Sequence, residues 1–71
     1  MATVEMTITL NGKSQQLPGP LTVRELLVKL GFEGKPVVVE LNQMPVFPRD
    51  HNTSMVEADA AVEIVALAAG G

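Results

Sequence analysis

The 71-residue sequence has no cysteine, no tryptophan and no tyrosine, and Phe32 and Phe47 are its only phenyl rings. Without cysteine there is no disulfide, no zinc–thiolate site and no nucleophilic thiol, so the chain cannot hold sulfur on a side-chain thiol of its own. With so few rings there is no stacking platform for single-stranded nucleic acid. Basic residues are equally scarce: five Lys and Arg against eight Asp and Glu leave a formal net charge of −3. Phosphate-backbone binding needs a clustered basic surface, so no nucleic-acid partner is expected. No apolar run reaches membrane-spanning length, and Met1 to Glu5 lacks the basic and apolar segments of a secretory signal. The expected location is cytoplasmic, with no membrane partner. A core this small contributes about 3–5 kcal/mol of net stability, which leaves little room for an elaborate buried active site.

What is present is strongly patterned. Val4, Met6, Ile8 and Leu10 alternate with Glu5, Thr7 and Thr9, the period of a strand with one buried face. Asn11-Gly12 tolerates the positive φ angles of a tight hairpin, so residues 13–17 should return antiparallel, ending at Pro18-Gly19-Pro20. Thr22 and Glu25 have the spacing of a capping box, and Val23, Leu26, Leu27 and Leu30 form one apolar helical stripe, with Gly31 as the C-terminal cap. Residues 37–41 are a β-branched run with Glu40 as the sole polar residue, predicting a strand flanked on both sides. Asn42 and Gln43 then turn the chain. Residues 44–47 form an edge strand or a loop, because Pro45 and Pro48 lack a backbone donor. Residues 50–59 read as connection with a possible helical turn, and the last strand falls at 61–67.

This order predicts an α+β fold of the β-grasp, ubiquitin-like class: a mixed four- to five-stranded sheet with one main helix packed on one face. The expected organisation is a domain over 1–67 and a flexible tail over 68–71. On the final strand Val62, Ile64 and Ala66 make one row, and Glu63, Val65 and Leu67 the other. If the helix covers the first row, Val65 and Leu67 either form an open apolar patch for a partner or are covered by loops.

The end of the sequence, Ala68-Ala69-Gly70-Gly71, has no large side chain to pack. Extended, these four residues span roughly 13 Å, enough to enter another protein's cleft. Two successive glycines give the narrowest peptide and the widest choice of backbone angles, suited to a tight catalytic channel. The expected site is therefore the Gly71 carboxylate with Gly70, and Val65, Leu67, Ala68 and Ala69 as partner contacts. His51 beside Asp50 lacks a second His or any Cys and reads as a solvated loop residue. Glu40, Glu57, Asp59 and Glu63 read as solubilising charge, so no metal is expected. The remaining glycines form neither a phosphate loop nor a dinucleotide fingerprint, so any ATP would bind a partner and no cofactor is expected here.

Across nearly its whole length the chain resembles the ThiS family of thiamin-biosynthesis sulfur carriers. The resemblance rests on Leu10-Asn11-Gly12-Lys13, residues 22–27 (Thr-Val-Arg-Glu-Leu-Leu), Val38-Val39-Glu40-Leu41-Asn42, Pro48-Arg49, and Val62-Glu63-Ile64-Val65 ahead of Ala69-Gly70-Gly71. It departs from the family pattern at Ala58-Asp59, where Gly-Asp is usual, and after Arg49, where an aromatic is common. The resemblance implies a carrier rather than an enzyme, a monomer when free. Its Gly71 carboxylate would be adenylated by a ThiF-like enzyme using ATP, and a persulfide donor protein would then convert it to a thiocarboxylate. That sulfur would go to a ThiG-like thiazole synthase. Three alternatives share the fold: a MoaD-like carrier for molybdopterin or another sulfur product, a ubiquitin-like modifier of lysines, and a plain interaction domain.

Overall fold

The computed structural model describes residues 5–67. The first strand, β1 (Met6–Leu10), turns through Asn11 and Gly12 into β2 (Lys13–Leu17), with Leu10 opposite Lys13. Both turn residues have left-handed backbones, φ +50° and +81°, which matches the right-handed twist of the flanking strands. A short strand β3 (Leu21–Thr22) leads directly into α1 (Val23–Lys29). Thr22 caps that helix reciprocally: its Oγ1 accepts from the Glu25 N–H at 3.0 Å, and the Glu25 carboxylate accepts from the Thr22 N–H at 2.8 Å. At the other end Gly31 takes φ +86°, its N–H donates to the Val28 carbonyl, and the Phe32 N–H reaches back to Leu27 at 2.8 Å. These are the paired bonds of a Schellman cap, and a side chain at Gly31 would strain them.

Next come β4 (Val37–Leu41) and β5 (Met44–Val46), joined by Asn42 and Gln43. A 3-10 turn at Pro48–Asp50, the two-residue strand β6 (Met55–Val56) and β7 (Ala61–Ala66) complete the described chain. The main sheet has the order β2-β1-β7-β4-β5, parallel only between β1 and β7, while β3 and β6 form a separate two-stranded ribbon. This is the β-grasp arrangement expected from the sequence. The run at 37–41 is indeed flanked on both sides, and residues 44–46 form the edge strand rather than a loop. The ribbon of β3 and β6 was not expected, because two-residue strands are too short to show a period.

One face of the sheet is buried. Ile8, Val39 and Val62, each 1% exposed, pack with Val23 and Leu26 of the helix, each at 0%. No polar or charged residue among the described residues is buried. The helix therefore covers the row of Val62 and Ile64, and alternation leaves Glu63 and Val65 outside. Among the described residues no helix is long and apolar enough to cross a membrane.

Two further non-glycine positions carry left-handed backbones, Gln43 and Asp59. Asp59 has φ +67° in the turn before β7, so the positive angle falls on a residue type that tolerates it, and Ala58 needs none. Gln43, at φ +70° and exposed, has no such excuse. A left-handed non-glycine residue costs about 1–2 kcal/mol, only partly offset by glycine's greater freedom in the unfolded chain. Gln43→Gly should therefore raise stability by about 0.5–1 kcal/mol. A urea midpoint that fails to rise would show that Gln43 is not strained.

Candidate functional site

The expected tail residues Ala68, Ala69, Gly70 and Gly71 lie outside the described residues. What the structure defines is the element that delivers them. Strand β7 lies inside the sheet, between β1 and β4. Its regular pairing to β4 runs through Ala66 opposite Val37, and the Leu67 N–H then donates to the Pro36 carbonyl at 2.9 Å. The chain is thus hydrogen-bonded up to the last residue before the tail.

Side chains from two hairpin turns add to this grip. Asn11 Oδ1 accepts from the Ile64 N–H at 2.8 Å and Asn11 Nδ2 donates to the Ile64 carbonyl at 3.2 Å, while its own N–H donates to Val62 at 2.8 Å. The amide thereby stands in for a strand residue, prolonging the parallel pairing past the point where β1 has turned away. Asn42 does the same at the start of β7: its Oδ1 accepts from the Ala61 N–H at 2.9 Å and its N–H donates to the Ala61 carbonyl at 2.7 Å. Both asparagines sit in left-handed turns, φ +50° and +52°, a conformation this residue type tolerates.

Of the expected partner contacts, Val65 and Leu67 are described, 56% and 51% exposed. They do not share a surface. Val65 lies on the open face of the sheet, paired across the strands with Val38, itself 47% exposed. Beside this apolar pair Glu40 faces Glu63 in register, a like-charge opposition that disfavours the sheet slightly. Leu67, beyond the end of regular pairing, instead lines a groove of about 480 Å³ on the helix side, with Leu27, Val28, Phe32 and Val37. The groove was not foreseen, because four separate stretches of sequence build it.

His51 also lies on this side, and it is half-buried rather than a solvated loop residue. Its Nε2 lies 3.3 Å from the Val46 carbonyl, and its own carbonyl accepts the Arg24 N–H at 2.9 Å. With Ser54 accepting the Val23 N–H at 2.9 Å, this segment satisfies helix donors that the capping box leaves open. Its role in the structure is to hold α1 against the loop. After Pro48-Arg49 no aromatic follows, but the Arg49 guanidinium lies 5.2 Å over the ring of Phe47, which precedes it. Among the described residues no three His, Asp or Glu side chains come together as a metal site would require.

The model of the ThiS family matches residues 8–71. Among solved structures, the thiamine biosynthesis protein ThiS from Geobacter metallireducens superposes with a TM-score of 0.80 at 33% sequence identity, covering 93% of this chain and 100% of that one. No curated protein sequence gives a significant match.

The asparagine contacts can be tested without reference to any partner. Asn11→Ala removes two bonds to the backbone of the buried Ile64 and a favourable left-handed residue, for an expected loss of about 2–3 kcal/mol. Amide hydrogen exchange at Ile64 should accelerate alongside the fall in the urea midpoint. Unchanged protection there would rule out the proposed grip on β7.

Proposed function

The chain belongs to the ThiS family, and we propose that it is a sulfur carrier of thiamin biosynthesis whose working group is the Gly71 carboxylate. The observation that carries this reading is the junction at Leu67: the pairing of β7 to β4 and the bond to Pro36 run up to it, and the family match continues through the two glycines to residue 71. A rigid strand followed by a slender peptide suits a reaction in which another protein must reach the peptide's end. The chain is then a domain over 1–67 that presents residues 68–71.

A carboxylate is a poor electrophile because its charge is delocalised over both oxygens. A ThiF-like enzyme, using its own bound ATP, corrects this: a Gly71 oxygen attacks the α-phosphorus, pyrophosphate leaves, and an acyl-adenylate results. A persulfide sulfur from the donor protein attacks the acyl carbon and expels AMP. The acyl disulfide so formed is cleaved by a further thiol, leaving the thiocarboxylate for a ThiG-like thiazole synthase. The chain contributes no acid, base or metal to these steps. Its contribution is an acyl group with no bulk around it, since Gly70 and Gly71 lack Cβ atoms and leave the approach to the carbonyl carbon open.

Incubating the full chain with ATP, the ThiF-like enzyme and a persulfide source should give the intact-mass increase of one oxygen-to-sulfur exchange at Gly71. An unchanged mass, or Gly-Gly remnants on lysines of other proteins in its place, overturns the carrier reading in favour of the modifier or the plain interaction domain. Gly70→Val should slow adenylation by roughly 10- to 100-fold, because a misplaced acyl carbon loses alignment with the nucleotide. Its thermal midpoint should match the wild type, which separates a channel effect from a folding effect.

A further inference from the structure

We propose that the groove beside Leu67 is the anchor for the protein that receives the tail, and that it holds an acidic segment of that protein: a carboxylate next to a large apolar side chain. This rests on the carrier reading and specifies where the carrier is gripped.

Charge is the first observation. Of the five Lys and Arg residues in the chain, two, Arg24 and Lys35, line this groove, but of the eight Asp and Glu residues only one, Glu33, does so. The local balance is +1 on a chain whose net charge is −3. Arg24 reaches Glu33 at 3.7 Å, but both side chains are more than half exposed (58% and 64%), so this pair is weak and easily exchanged for another carboxylate. Lys35 is in no ion pair among the described residues. An incoming carboxylate finds two donors there with little to displace.

Shape is the second. The groove's volume of about 480 Å³ accommodates a large side chain together with its neighbour. Leu27 and Phe32 are largely covered, while Val28 at 44% and Leu67 at 51% present aliphatic surface to solvent. Apolar walls under a rim of opposite charge to the ligand are the features of an interface anchor.

Position is the third. Leu67 is both a groove wall and the residue from which the tail leaves. The four residues beyond it reach roughly 13 Å at most, so the Gly71 carboxylate stays within that distance of the groove wall at Leu67. An occupant of the groove that touches Leu67 is therefore close enough to belong to the protein that receives the tail. Anchoring at the root also makes entry of the tail effectively intramolecular.

The test uses the full chain with two proteins as probes, the ThiF-like enzyme and the ThiG-like synthase. Val28→Glu and Lys35→Glu alter exposed groove residues, and Lys13→Glu, on the distant β2, matches the charge change. For at least one probe, each groove variant should raise the carrier's KM in ATP–pyrophosphate exchange, or its Kd by calorimetry, by about tenfold or more, with kcat unchanged at saturation. Lys35→Arg should restore binding, Lys13→Glu should stay within about twofold, and thermal midpoints should confirm folding of all variants. If both groove variants bind both probes within about twofold of wild type, the inference is overturned while the carrier reading stands. A wild-type chain that is neither adenylated nor bound sinks both. Self-association abolished by Lys35→Glu would assign the groove to a second copy and overturn it as well.

Discussion

Everything this protein offers to a partner depends on β7 staying in place, and the strand is secured by more than its own ladder. Its start is held by the Asn42 amide, its middle by the Asn11 amide, and its end by the Pro36 carbonyl. A small α+β domain has little free energy to spare, and any load on the chain beyond Leu67 passes to the strand that bears it. Hydrogen bonds from side chains on two separate turns spread that load over both halves of the sheet. The two hairpins do more than reverse the chain: their left-handed asparagines aim polar groups inward at the strand between them.

The core is purely aliphatic where it is most covered. Ile8, Val39, Val62, Val23 and Leu26 meet without a polar atom among them, so packing of this core carries no hydrogen-bond requirement to be met. The polar links lie at the periphery, where the loop after Val46 caps the helix through His51 and Ser54. This division places the groove between two parts of different character: the helix on one side and a hydrogen-bonded loop on the other.

Much of this was legible in the sequence because the relevant signals are local. Asn11-Gly12 marks a hairpin, Thr22 and Glu25 mark a helix start, and the apolar run at 37–41 marks an inner strand; each needs only a few neighbouring residues to be read. The same holds for the row of Val62 and Ile64. What was not legible is what distant residues do together. The contact of Asn11 with Ile64 spans 53 positions, and nothing near Asn11 announces it. The groove draws on the helix, the loop after it, the segment around His51, and Leu67. Simple alternation also put Leu67 on the same row as Val65, because periodicity does not show where strand pairing stops. The pathway assignment came from the ordered set of short segments that the chain shares with its family, not from composition or period.

The edge strand β5 has proline at its middle position, Pro45. A flat sheet ordinarily invites another chain to add itself along a bare edge, the first step toward fibrils. Here that border has a missing donor at its centre, so lateral growth in that direction stalls after a single contact. The opposite border, β2, is made chiefly of Lys13, Ser14, Gln15 and Gln16, whose hydrophilic character discourages stacking there. Both borders of the main sheet thus carry features that work against edge-to-edge addition.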